Sequence, residues 1–189
     1  LLVVGSGIVG LAHAYEAAKS GYSVGLIEKN AYCTGASIRN FGFITVSGQG
    51  ARETWRRAIY SAKVWKELAG LANIKILHHG TWVVCERQEA VDVSWAYLKT
   101  HMGAECQYFP RAAFSDLPSL GYDHLINLKL KNALGLLYSP HEFRVESREA
   151  IPQLANFLQH EMDVDFYWET EVLAVEGARS EEHTSELQS

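Results

Sequence analysis

Cysteine is scarce in this chain. The three present, Cys33, Cys85 and Cys106, are odd in number and scattered, with no C-x-x-C among them. That excludes a disulfide scaffold and a structural zinc site, and favours a reducing, intracellular compartment with the cytoplasm as default. No H-E-x-x-H or similar ligand spacing occurs, so no metal is assigned. No apolar run approaches the ~20 residues of a membrane-spanning helix. There is no signal-peptide n-region and no leading Met, which reads as a few residues missing from the front. Basic charge is not in excess either. With 17 Lys and Arg against 22 Asp and Glu, the net charge of −5 leaves no electrostatic footprint for nucleic acid or an anionic membrane. Internal repeats are also lacking, and a hydrophobic content of 48% is that of a globular chain.

What is present is concentrated in the first 42 residues. LLVV runs into GSGIVG, then a helical stretch, then VGLIE, whose Glu28 lies 21 positions after Gly7. This is the order of a dinucleotide-binding βαβ unit. The strand delivers the chain to a tight turn at Gly5, and Gly7 leaves room for a pyrophosphate to approach backbone amides. Gly10 lets helix and strand pack closely, and the helix N-terminus faces the phosphate charge. Glu28 is placed to accept from the ribose hydroxyls of an adenosine. An ordinary Gly-rich turn is the bland alternative, and the strand, helix and acid around it count against that.

Along the chain, Ile8–Ser20 reads as a helix stopped by Gly21, and Ser23–Glu28 as a strand. Asn30–Gly50 reads as a long functional loop and Ala51–Leu71 as a helix. IKILHHGTWVVCE reads as strand, turn, strand; Gln88–Met102 as helical; GAECQYF as a strand. Asp116–Asp123, with Pro118 and Gly121, reads as a loop. LINLKLKNALGLLYSP suggests a hairpin or two short strands. A helix from Ser147, with Pro152 early in it, leads to VDFYW and EVLAVE, both read as strands returning to the parallel sheet. The last stretch, RSEEHTSELQS from Arg179 to Ser189, is similar to a translated sequencing adapter and is set apart from the fold. Without it one Arg and three Glu are lost, and the net charge becomes −3.

GSGIVG, Glu28 and GASIRNFG together resemble the D-amino-acid-oxidase-like (DAO) FAD-dependent oxidoreductases, which include glycine and sarcosine oxidases. The likeness continues through GLLYSPHEFRVESREAIPQLANFL to VDFYWETEVLAVE. ASIRNFG followed by SPHEFRVESREAIP is similar to a branch associated with aminoalkylphosphonate breakdown. The resemblance implies an α/β fold: a truncated Rossmann-like, GR2-type FAD-binding domain with an inserted strand-rich α+β substrate subdomain. Residues 1–73 would form the first part of the FAD domain, 74–145 the insertion, and 146–178 the return, with 179–189 an artefactual tail.

The same resemblance implies FAD as cofactor. Gly5, Gly7, Ile8, Val9 and Gly10 would cradle its pyrophosphate, and Glu28 with Lys29 would meet the adenosine ribose. Ala36, Ser37, Arg39 and Asn40 would lie along the pyrophosphate and flavin side, and the backbone of Val172 would touch adenine. Ser37 could equally be a loop hydroxyl serving its own backbone. Arg39 either pairs with a phosphate or substrate anion or is a solvated loop charge. The His that carries covalent flavin in some relatives is replaced here by Arg39 and Asn40, which puts that attachment in doubt. Cys33 reads as a buried, unreactive thiol.

His78 and His79 are neighbours and, on a strand, face opposite sides. Arg144 could bind a substrate carboxylate or phosphonate, although such an Arg is more often structural. Trp55, Trp65 and Trp82 read as core or interface rather than a substrate cage. No catalytic residue is assigned. The function implied is oxidation of the C–N bond of a small amine or amino acid by hydride transfer to flavin, with the chain itself an inactive fragment. A nicotinamide-dependent dehydrogenase and a non-catalytic nucleotide-binding remnant are the alternatives. Oligomeric state is not legible.

Overall fold

The computed structural model describes residues 1–117 and 130–175. The readings made for Pro118, Gly121 and 179–189 lie outside the described residues. In chain order the regular elements are β1 (Leu2–Val4), α1 (Ile8–Lys19), β2 (Gly25–Ile27), β3 (Phe43–Ile44), α2 (Glu53–Leu71), β4 (Ile76–Cys85), α3 (Gln88–Leu98), β5 (Gln107–Pro110), β6 (Gly135–Val145), α4 (Ser147–Glu161) and β7 (Asp165–Tyr167). Short 3₁₀ turns lie at Ala36–Ile38, His101–Gly103, Arg111–Asp116 and Leu130–Asn132. Two compact units result, Leu1–Gly35 with Leu158–Ser189, and Ala36–Phe157.

The first unit holds a parallel sheet in the order β1-β2-β7. Leu2 pairs with Gly25 and Val4 with Ile27, while Gly25 pairs with Asp165 and Ile27 with Tyr167. Parallel neighbours need a crossover, and α1 supplies it between β1 and β2. The helix buries Leu11, Ala14, Tyr15 and Ala17. Of the stripe that the sequence spacing predicts (Ile8, Leu11, Ala12, Tyr15, Ala18), Leu11 and Tyr15 are buried, Ile8 and Ala18 are half-buried and Ala12 is exposed. It stops where expected. Gly21 takes φ +84°, its N–H bonds Ala18 O at 2.9 Å, and Tyr22 N–H bonds Ala17 O at 3.1 Å. VDFYW does return to the sheet, as β7. EVLAVE does not form the expected strand over its described residues: 171–175 have no ladder partner, and Leu173 and Val175 are 88% and 84% exposed. A strand-like composition makes a strand only where a neighbour accepts its hydrogen bonds.

The second unit is antiparallel, built on β6. This strand pairs with β3 and β4, and also takes β5. IKILHHGTWVVC is not a hairpin but the single ten-residue strand β4, whose register against β6 shifts between His79 and Thr81. Gly80 lies inside that shift, alone opposite residues 140–142 of β6, with φ +74°, and a Cβ there would clash with the Tyr138 ring. Likewise, the described part of LINLKLKNALGLLYSP is a 3₁₀ turn followed by one eleven-residue strand, not two short ones. Pro140 is accommodated in the shift between Ser139, opposite Thr81, and Phe143, opposite His79. The core strand residues of this unit include Leu136, Leu137, Phe143 and Val145, all buried.

α4 buries Ala150, Ile151, Leu154, Ala155 and Leu158 on one face, as the sequence spacing predicts. In α2, by contrast, Gly70 is exposed and a Cβ on it would meet nothing within 4 Å. Gly70→Ala should therefore raise stability by about 0.5–1 kcal/mol, read as a higher denaturation midpoint, because alanine loses less backbone entropy on forming a helix. Among the described residues, no helix is long and apolar enough to cross a membrane. No group of three or more His, Cys, Asp or Glu there is arranged to hold a metal ion.

Candidate cofactor site

The turn after β1 has the geometry its glycines predict. Gly5 takes φ +96°, and its N–H bonds Ile27 O at 2.8 Å, tying the turn to the end of β2. Gly7 caps α1 with φ −70° and ψ 169°, and no side chain makes a capping hydrogen bond there. No acidic residue occupies the first turn of α1; a negative charge is brought to this end of the helix by Glu28, whose carboxylate accepts from Ser6 N at 2.9 Å. Gly10 closes the arrangement. A Cβ there would sit 1.9 Å from Gly5 O, so only glycine lets α1 approach the turn this closely. Ile8 and Val9 are the first two helical residues, with Val9 68% exposed. A groove of about 440 Å³ runs beside β1 and the start of α1. Its walls combine the glycines of the turn (Gly5, Gly7, Gly10) with the aliphatic side chains of Leu2, Val4 and Val9.

Glu28 follows β2 directly, and its backbone is clamped. Its N–H bonds Tyr167 O at 2.9 Å, and its carbonyl accepts from Thr170 N at 3.0 Å. The carboxylate receives four hydrogen bonds. Oε2 accepts from Ser6 N at 2.9 Å and Ser6 Oγ at 2.8 Å, and Oε1 accepts from Asn30 N at 3.0 Å and Asn30 Nδ2 at 2.9 Å. Burial alone would push this carboxyl up, yet the four donors outweigh burial and hold it below its ordinary value. The acid is thus fixed in place and ionised beside the glycine turn. Lys29 is exposed next to it. Val172 is half-buried two residues after Thr170, so the structure brings its segment to the Glu28 carbonyl as well.

Cys33 is buried, as the sequence reading held. Burial pushes its thiol up; a Ser6 hydrogen bond opposes this, and the Glu28 charge reinforces it. The thiol stays protonated and unreactive at neutral pH. Ser6 and Asn30 are the residues that sequence reasoning missed here. Ser6 occupies a variable position of G-x-G and is wholly buried. Only its hydrogen bonds to an acid 22 residues away reveal its use.

After Gly35, GASIRNFG lies in the second unit. It is no loose loop: Ala36, Ser37 and Ile38 form a 3₁₀ turn, and Arg39 N bonds Ala36 O at 3.0 Å. Asn40 serves the segment itself, with Nδ2 donating to Ser37 O and Oδ1 accepting from Gly42 N, both at 2.7 Å. The end of β6 and start of α4 hold the segment from outside. Ser147 Oγ donates to Asn40 O at 2.7 Å, Arg144 Nε to Phe41 O at 3.0 Å, and Val145 N to Gly42 O at 3.0 Å. Arg144 also lies 3.7 Å from a Glu146 carboxylate oxygen and over the Phe43 ring, so its use here is structural. Arg39 is exposed, and its guanidinium has no partner among the described residues. His78 and His79 sit on β4 opposite Arg144 and Phe143 and form no joint site. Trp82 packs against Phe109 and Tyr138, and Trp55 meets His101 edge-on.

No curated protein sequence matches the chain. Among solved structures, L-proline dehydrogenase from P. horikoshii superposes with a TM-score of 0.68 at 20% identity, over 90% of this chain and 44% of that one. L-amino acid deaminase from Proteus myxofaciens gives 0.75 at 17% identity, over 94% and 40%. L-alpha-glycerophosphate oxidase from Mycoplasma pneumoniae, solved with FAD bound, gives 0.67 at 21% identity, over 91% and 45%. The chain therefore spans less than half the length of each, and at these identities the likeness is one of fold. The family model for FAD dependent oxidoreductases (DAO) matches residues 1–188, and so gives no support to setting 179–189 apart. With nearly every residue inside that match, the chain belongs to the DAO family of FAD dependent oxidoreductases.

Proposed function

We propose that this chain supplies the adenosine- and pyrophosphate-binding part of an enzyme that oxidises the C–N bond of a small amine or amino acid. The observation carrying this reading is the ionised Glu28 carboxylate held 2.9 Å from the amide of Ser6, inside the Gly5–Gly10 turn. When bound, FAD supplies the acceptor for the hydride removed from the carbon beside nitrogen. The chain's own contribution is binding and orientation. The start of α1, at Gly7, Ile8 and Val9, brings the positive end of the helix toward the diphosphate, while Glu28 accepts from the ribose hydroxyls. Lys29 adds positive charge nearby. The backbone of Val172 meets adenine, and Ala36, Ser37, Arg39 and Asn40 lie toward the flavin side.

We assign 1–73 and 146–178 to the FAD-binding domain and 74–145 to the substrate subdomain. The names of two neighbours, a proline dehydrogenase and an amino acid deaminase, favour an amine substrate. Likeness of the ASIRNFG and SPHEFRVESREAIP segments to the aminoalkylphosphonate branch, together with the uncommitted Arg39, supports a phosphonate-bearing amine. Nothing in the family match favours the nicotinamide alternative. Three free cysteines support a reducing compartment, the cytoplasm.

Titration of the purified protein with FAD, followed by quenching of flavin fluorescence, tests the reading. Glu28→Gln should weaken binding about 10- to 100-fold, since a hydrogen bond to a charged acceptor contributes about 1.5–3 kcal/mol. Binding of NADH in preference to FAD, or an unchanged FAD affinity in Glu28→Gln, would overturn it.

A further inference from the structure

We infer that Ser6 and Asn30 are positioning residues for the cofactor's ribose: their hydroxyl and amide, with their backbone N–H groups, fix the Glu28 carboxylate in a single orientation beside the glycine turn. The inference rests on the nucleotide reading above and names residues that the motif does not.

Each carboxylate oxygen is met by one backbone N–H and one side-chain donor of the same residue, Ser6 on Oε2 and Asn30 on Oε1. A glutamate side chain has three rotatable bonds, and left free it would lose rotamer entropy on gripping a ligand. Here that entropy is already spent in folding. The two residues approach from opposite ends of the carboxylate, one from the glycine turn and one from the chain just after β2, so the plane of the group is set as well as its position. The Ser6 hydroxyl is buried with its residue and donates to Glu28 Oε2 at 2.8 Å. The bonds are to an ionised acceptor, which makes them stronger than neutral ones.

The surroundings support a fixed role rather than a general polar cluster. The Cys33 thiol is the titratable neighbour, and burial keeps it protonated. From the 167–170 segment the groups meeting Glu28 are the Tyr167 carbonyl and the Thr170 amide, both on its backbone. Lys29 is exposed. Hydrogen bonds from Ser6 and Asn30 are thus what favour the charged form, against burial.

The test is FAD affinity measured from pH 4 to 8 in wild type, Ser6→Ala, Asn30→Ala and each of these combined with Glu28→Gln. Ser6→Ala and Asn30→Ala should each weaken FAD about tenfold at neutral pH, the effect of one charge-assisted bond. In both, the acid-side loss of affinity should move to higher pH, because Glu28 has lost a donor that favours its ionised form. On the Glu28→Gln background neither substitution should weaken binding further. Weakening that is equal at all pH values, or that persists on the Glu28→Gln background, assigns the residues to general packing and overturns the inference. So does unchanged affinity in the single variants. If wild type binds no FAD, or Glu28→Gln binds as wild type does, the nucleotide reading itself falls. Circular dichroism of each variant separates lost binding from lost fold.

Discussion

Gly42→Ala should destabilise the protein by about 4 kcal/mol, which for a chain of this size lowers Tm by roughly 8–16 °C. Two costs add at this residue. Its φ of +69° is a left-handed conformation that costs an alanine on the order of 1 kcal/mol. The added Cβ would also lie 1.9 Å from Val145 O, 2.9 Å from Val145 C and 3.4 Å from Ser147 N. All three are backbone atoms at the junction of β6 and α4, so no side chain can swing aside. Relief requires the 38–42 segment to move away, which breaks the bonds from Val145 N to Gly42 O, Arg144 Nε to Phe41 O and Ser147 Oγ to Asn40 O. Gly35→Ala is the control. A Cβ there meets nothing within 4 Å, and its Tm should stay within about 2 °C of wild type. A Gly42→Ala protein that melts with the control would show that this clasp does not hold the second unit together.

Gly10→Ala should cost FAD binding more than any other single methyl group, about 100-fold or beyond. Gly10 sits in the first turns of α1, and its Cβ would fall 1.9 Å from Gly5 O and 3.1 Å from Gly5 C. Overpacking of this kind costs about 1–3 kcal/mol even where side chains can adjust. Here the contact is backbone on backbone, so α1 must lift from the turn. That displaces the first-turn N–H groups from the diphosphate and strains the bond from Gly5 N to Ile27 O. Positioning errors of about 1 Å at a preorganised site weaken it severely. Fluorescence titration with FAD beside a thermal melt checks this. An alanine variant that binds FAD within threefold of wild type would mean the turn tolerates a wider approach than its geometry allows.

The two units were unequally legible in the sequence. α1 and its stop at Gly21 are readable because helix periodicity and a left-handed C-terminal glycine are local properties. The return of VDFYW to the parallel sheet is readable from its place after a helix. β4 is not, because Gly80 signals a turn in sequence, whereas in the fold it stays within one strand at a register shift against β6, with Tyr138 where a side chain would go. β6 hides for a related reason. Pro140 argues against a long central strand unless the register shift that accommodates it is known. The EVLAVE segment fails in the opposite direction, with strand composition but no partner over its described residues.

The same division holds at the candidate site. Gly5, Gly7, Gly10 and Glu28 are identifiable from spacing alone, since each answers a demand of one βαβ unit: a turn, an approach, a contact and an acid at the end of the second strand. These are constraints over about 25 residues of chain, and short-range geometry transmits them into the order of residue types. Ser6, Asn30, the occupied amide of Asn40 and the structural use of Arg144 became apparent only in the folded chain. Each depends on hydrogen bonds whose partners are brought together by strand pairing and helix packing. A serine or an asparagine carries no mark of the distant acceptor it will meet. Residue type and spacing were enough to name the cofactor's fold, but it took three-dimensional packing to decide which polar groups are free to meet a ligand and which are already engaged within the protein.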